Sequence, residues 1–200
     1  WIKNNLPKVK QIFFQDDTLV TPWALEISQA IIDEKLNLCW GCYSRADKTY
    51  DQIMKMREAG CRTYHVGYEM PIQGALDEIK KDITVEQMEK FAKDVRRAKM
   101  WQSASFMIFP WSTPDQIKYM IEWAKRMNPT RVNVAQLQAY PNCPITDTLN
   151  AYKDIPNKHI MTFSEMEEWE KFCFKEFYLK NPQFWLQVIT SPRELKSVLK

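Results

Sequence analysis

At 200 residues and 45% hydrophobic content, the chain can bury one substantial core, or a domain with an appendage, and is too short for two full-size enzyme domains. Its 28 basic and 25 acidic residues leave a net charge of +3, which argues against disorder, a nucleic-acid-binding tail and an acidic solvating tail. The longest apolar stretch, residues 104–111 (ASFMIFPW), falls far short of the roughly 20 residues that a membrane-spanning helix needs.

The opening WIKNNLP has neither an initiator Met nor a signal-peptide pattern, so the chain reads as an excised piece. Five cysteines, an odd number in a chain too large for a disulfide scaffold, point to reduced thiols and a cytoplasmic setting.

Residues 9–16 (VKQIFFQD) are rich in branched and aromatic side chains and run into a turn-forming DDT, the pattern of a buried strand. Thr21 and Pro22 then supply an N-cap and a first-turn proline for a helix in which Ala24, Ile27, Ser28 and Ile31 form a stripe at helical spacing. The next strand is expected over 36–44 (LNLCWGCYS), followed by a helix opened by Thr49-x-x-Gln52 and stopped at Gly60. A third strand over 63–69 (TYHVGYE) leads to two helices. Ile72, Ala75, Leu76 and Ile79 define the first, and Thr84-x-x-Gln87 opens the second. The fourth strand is expected over 102–109, with Thr113 capping the helix after it and Asn128-Pro129 ending that helix. A fifth strand covers 131–140. Beyond it, an aromatic-rich helix begins with a cap at Ser164 and runs to Lys180.

Successive strands start 27, 27, 39 and 29 residues apart, room enough for a crossover helix and too much for a hairpin, so the strands should be parallel. Five βα units suit part of a (β/α) barrel or an open doubly wound sheet, and in both the ligand lies at the carboxyl ends of the strands. Polar residues stand there: Asp16 and Asp17, Ser44 and Arg45, Glu69, Ser105, and Gln136 with Gln138. Each alone could merely cap a helix; coming from five strands, they favour a binding mouth.

With glycines only at 41, 60, 67 and 74, neither a G-x-G-x-x-G nor a G-x-x-x-x-G-K phosphate loop can be written. The two histidines offer no His-rich metal site, and alternation places His65 in a strand interior. Cys39 and Cys42 have C-x-x-C spacing, but inside a strand such residues point to opposite faces. They are therefore read as two buried small side chains in preference to a thiol-disulfide centre.

Taken together, FFQDDT, WGCYSRAD, VGYEMPIQGALDEIKKDIT, SFMIFPWSTPDQI and AQLQAYPNCP resemble, in order and spacing, the radical S-adenosylmethionine (SAM) enzymes, in particular the branch with an N-terminal cobalamin-binding domain that includes proteins associated with hopanoid biosynthesis. The resemblance runs from Trp1 to about Asn150, and the aromatic helix and SPREL segment look like that branch's C-terminal extension. It implies a partial (β/α)6 TIM-like barrel, here N-terminally truncated to about five units, with a core over 1–150 and a helical extension over 151–200.

By the same resemblance, the cofactors are SAM, a 4Fe-4S cluster and, in that branch, cobalamin, and SAM is cleaved to a 5′-deoxyadenosyl radical or supplies a methyl group. The family's C-x3-C-x2-C cluster loop has no counterpart among these cysteines, so the ligands lie on other polypeptide and this piece should be inactive alone. Glu69 is implied at the SAM ribose or methionine end, Arg45 and Lys81 near its carboxylate, Asp17 at its amino group or the substrate, and Ser105 and Gln138 on the ribose and adenine side. Implied partners are a small or lipid-like substrate and an electron donor, with no nucleic acid. Two departures stand out: GYEMP and FPWST replace motifs in which the family has glycines, so Pro71 and Trp111 should narrow the approach to SAM, while Asn142 can supply a left-handed turn. A barrel-derived binding module without catalysis, and a redox centre on CWGC, are the competing readings.

Overall fold

The structure is a computed structural model and describes residues 1–190; the SPREL segment lies outside the described residues. In chain order the elements are α1 (Ile2–Asn5), β1 (Ile12–Phe14), α2 (Thr21–Asp33), β2 (Trp40–Ser44), α3 (Tyr50–Glu58), β3 (Cys61–Glu69), α4 (Gln73–Glu78), α5 (Val85–Arg97), β4 (Trp101–Ile108), α6 (Pro114–Met127), β5 (Arg131–Gln136), α7 (Pro144–Lys153), α8 (Phe163–Phe174), a π-helical turn (Lys175–Leu179) and α9 (Pro182–Thr190). The five strands are parallel and form one open sheet in the order β1-β2-β3-β4-β5. A doubly wound sheet reverses its strand order at a switch point; this one does not, as expected for an arc of a (β/α) barrel.

Local chemistry sets most boundaries. Thr49 with Gln52, Thr84 with Gln87, and Thr113 with Gln116 each form a reciprocal capping box that satisfies two backbone N–H groups. Asn128 ends α6 in the left-handed conformation at φ 49°, and Asn142 adopts φ 63°. Several expectations need correction, among them the start of β2, expected at Leu36 and found at Trp40, and the end of β5, expected at Tyr140 and found at Gln136. Val20, extended, is the N-cap of α2, and Thr21 lies inside the helix. Thr162 caps α8 in a box with Glu165, two residues ahead of Ser164, because TFSE and SEME overlap as cap patterns and the earlier one closes both hydrogen bonds. Strand β1 has three residues instead of eight, since only Ile12, Phe13 and Phe14 find partners, on Trp40, Gly41 and Cys42.

The chain divides into two compact units, residues 1–67 with 83–104, and residues 68–82 with everything from 105 onward. In the first, Trp40 is fully buried, meets Phe14 edge-on and donates its indole N–H to the Ala59 carbonyl at 2.9 Å. Ile53 and Met56 of α3 and Phe91 of α5 complete that core, with Phe91 against Tyr64 of β3. Such side chains each contribute about 2 kcal/mol of burial free energy.

The second unit is built on Tyr68, Phe106 and Trp123, whose rings lie 5.2–6.0 Å apart. Helix α8 packs on β5, and the π-helical turn after it is marked by the Lys180 N–H donating to the Lys175 carbonyl at 3.1 Å. That turn aims the Tyr178 hydroxyl at edge strand β5, where it accepts from the Val132 N–H at 2.8 Å and donates to the Val132 carbonyl at 2.7 Å. Tyr178→Phe is therefore expected to cost about 2 kcal/mol, because it leaves two strand-edge groups unsatisfied. Urea denaturation checks this; an unchanged midpoint would mean that water replaces the hydroxyl at no cost.

Candidate functional site

The site is best built from Glu69. In β3, Tyr64, Val66 and Tyr68 are buried while His65, Gly67 and Glu69 alternate with them on a less buried side, so the strand delivers the Glu69 carboxylate at its carboxyl end. There the backbone turns left-handed, with φ 57° at Glu69, a conformation that costs a non-glycine residue about 1 kcal/mol and clusters at functional sites. The Met70-Pro71 step that follows forbids a helical continuation, and the Ile72 N–H closes back on the Met70 carbonyl at 2.7 Å.

Lys81 reaches this carboxylate from the coil after α4. Its Nζ donates to Glu69 Oε1 at 2.6 Å, with side-chain exposures of 21% for Lys81 and 16% for Glu69, so the pair is shielded without being sealed. Lys81 is thus neither on a helix nor a solvated surface charge. A carboxylate so placed can accept from a diol or an ammonium, and the lysine can meet a carboxylate or phosphate.

Asp17 is exposed in the turn after β1. Arg45 directly follows β2, with Nε 3.6 Å from Asp47 Oδ2. Ser105 does not close its strand: it is the fifth of eight residues in β4, partly buried, and Ile108 closes the strand, because pairing continues past the polar residues. Gln138 is exposed two residues beyond β5 and accepts from the Tyr140 hydroxyl at 3.4 Å, whereas Gln136 closes β5 and donates to Glu170 at 3.3 Å.

Three arrangements escape sequence reasoning. Phe13, Tyr43 and His65 form an edge-to-face cluster with centroids 4.9–5.4 Å apart, which puts His65 among aromatic rings as a strand residue. Trp111 stacks almost parallel between Phe109 and Tyr152 and donates its indole N–H to Glu78 at 2.9 Å. Glu78 also binds the Tyr152 hydroxyl, which holds the phenol's pKa up at about 12. The signal for this stack was present as the unexplained WST after a strand, but Tyr152, 41 positions on, was invisible. Finally, Cys39 is exposed and Cys42 buried, so only one of the CWGC thiols is the buried small side chain expected; Cys42 contacts Cys61. The C-x-x-C spacing reaches opposite environments, and the redox-centre reading loses its geometry.

No family model matches the chain. An uncharacterized methyltransferase of Pyrococcus horikoshii is 27% identical over 186 residues, covering 91% of this chain and 39% of its own length. Among solved structures, the radical SAM enzyme coproporphyrinogen III oxidase (HemN) of Escherichia coli superposes with a TM-score of 0.64 at 13% identity, over 88% of this chain and 42% of that one. The radical SAM methyltransferase TsrM of Kitasatospora setae, with cobalamin and a 4Fe-4S cluster bound, superposes with a TM-score of 0.60 at 15% identity, over 70% of this chain and 30% of that one. The fold is thus that of radical SAM enzymes, cobalamin-dependent ones among them, and the chain spans well under half the length of these proteins. Among the described residues no helix is long and apolar enough to cross a membrane.

Proposed function

We propose that this chain is the SAM-binding and substrate-facing part of a radical SAM enzyme. In this reading residues 1–150 are the barrel core and 151–200 its extension. The observation that carries it is the Glu69–Lys81 pair, held at the carboxyl end of a parallel strand by a left-handed residue. A zwitterionic nucleoside needs both signs of charge, and this pair presents them within one hydrogen bond.

The opposite charges of the Glu69–Lys81 pair support SAM as the ligand. Glu69 would take its ribose diol or ammonium, Lys81 and Arg45 its carboxylate, Asp17 the amino group or the substrate, and Ser105 and Gln138 the ribose and adenine side. When bound, SAM supplies an adenosyl or methyl carbon; the chain's own residues bind and orient it and keep water away. A 4Fe-4S cluster does not fit. Among the described residues no group of three or more Cys, His, Asp or Glu is gathered that could ligate one. The cluster, any cobalamin and the electron donor therefore belong to the intact enzyme. Its substrate would be a small or lipid-like metabolite with an unreactive C–H bond, as in the hopanoid-associated branch, and its setting cytoplasmic.

Equilibrium dialysis of labelled SAM against the chain tests the binding claim. Saturable binding, competed by S-adenosylhomocysteine, is expected; absence of saturable binding defeats it. For the intact protein, reconstituted anaerobically with iron and sulfide, release of 5′-deoxyadenosine from SAM tests the chemistry.

A further inference from the structure

The first compact unit buries a polar, sulfur-containing cluster that reaches the strand-end residue Ser44 through Lys48. Cys42 of β2 and Cys61 of β3 are both fully buried free thiols on neighbouring strands, where Trp40, two residues before Cys42, pairs with Cys61, and the Cys61 thiol donates to the Thr63 carbonyl at 3.9 Å. A β-bulge puts the two thiols on the same side. Trp40 pairs with Cys61 but Gly41 pairs with Thr63, so Arg62 is an extra residue in β3. Regular alternation would put Cys61 on the side of Thr63 and His65; the bulge turns it to the side of Tyr64, which is also the side of Cys42.

A cation stands beside the thiols. Lys48, in the loop between β2 and α3, is only 4% exposed; its Nζ donates to Ser44 Oγ at 2.8 Å and lies 3.6 Å from Asp47 Oδ1. Burial lowers the pKa of its ammonium, with opposing pulls from Asp47, Cys42 and Cys61. The neighbouring Cys61 lowers the pKa of the Cys42 thiol, aided by Lys48 against the effect of burial, whereas burial drives that of Cys61 well up.

We propose that Cys42 and Cys61 form a two-coordinate site for a soft monovalent metal ion, copper(I), with Lys48 as its buried counter-charge. Thiolates are the ligands that such an ion selects. Binding forms two sulfur–metal bonds and releases two thiol protons to solvent, with no change of oxidation state. The resulting complex carries one negative charge, which the Lys48 ammonium attracts, with Asp47 3.6 Å from that ammonium. A divalent ion would in addition seek more ligands than two thiolates supply. Zinc requires about four ligands, and no third Cys, His, Asp or Glu joins the pair among the described residues.

The experiment uses the reduced chain under anaerobic conditions, with the exposed Cys39 and Cys143 first blocked by native-state alkylation. Copper(I) is supplied as its acetonitrile complex in the presence of bicinchoninate as competitor. One copper per chain is expected to be retained, with Tm raised by about 5–10 °C at saturation; zinc(II) should leave Tm unchanged. Cys42→Ser and Cys61→Ser should each lose the copper completely, and Lys48→Met should weaken its retention about tenfold at unchanged stoichiometry. Copper retained by either serine variant, an equal response to zinc, or no retention by the unmutated alkylated chain would overturn the proposal. Because the unmutated chain is tested directly, a variant that fails to fold does not rescue it.

Discussion

Gly60→Ala is expected to lower the unfolding free energy by about 3 kcal/mol, combining left-handed strain with overpacking against a fixed backbone. Gly60 ends α3 at φ +93°, and a methyl group there would lie 1.8 Å from the Leu38 carbonyl oxygen, so backbone, not a flexible side chain, would have to yield. The same glycine's carbonyl accepts from the Trp40 N–H at 3.1 Å, which starts the pairing of β2 with β3. Moving it would therefore disturb the register at the bulge as well as the turn. Gly74→Ala is the internal control. Nothing lies within 4 Å of its added methyl, and it sits in α4, so a gain of about 0.5–1 kcal/mol is expected. Urea denaturation of both variants decides the matter; equal midpoints would show that the Leu38 carbonyl gives way freely.

The second large effect concerns binding. If Glu69 accepts hydrogen bonds from SAM, Glu69→Gln keeps the shape, removes the charge, and should weaken SAM affinity about 10- to 100-fold, the worth of one or two charge-assisted hydrogen bonds. Lys81 engages Oε1 at 2.6 Å, so it also fixes the carboxylate's orientation. Lys81→Met should therefore weaken SAM binding too, by about tenfold, through lost attraction for the ligand carboxylate and a looser Glu69. Asp17→Asn, on an exposed residue in the turn after β1, should have a smaller effect if it contacts only the substrate. Calorimetric titration with SAM measures all three. Full affinity in Glu69→Gln would remove the pair from the site and, with it, the main support for a SAM-binding function.

How much of this could be read from residues alone follows from the range of the interactions. The capping boxes at Thr49, Thr84 and Thr113 are four-residue devices and were legible; so were the end of α6 at Asn128, the left-handed Asn142 and the spacing that makes the strands parallel. The cap of α8 was misplaced because two overlapping patterns compete locally and only one is closed by its glutamate. Glu69 was legible as a strand-end carboxylate, but its bond to Lys81 depends on a left-handed turn and a short helix between them. Cys61 beside Cys42 was not legible, since it depends on a bulge that inverts the alternation used to assign faces. Ser105 illustrates the opposite error: a polar residue looked like a strand end, whereas β4 runs on to Ile108.

The double hydrogen bond from Tyr178 to Val132 has a consequence for association. It occupies the outward N–H and C=O of one residue in β5, while β1, at the other end of the strand order, has no strand beyond it among the described residues. A polypeptide segment seeking a backbone to zip onto is thus obstructed at one border and admitted at the other. Recruitment of an additional strand, whether from the same protein or a neighbour, is polarised: it has a preferred port of entry, and a single tyrosine hydroxyl helps to guard the opposite one.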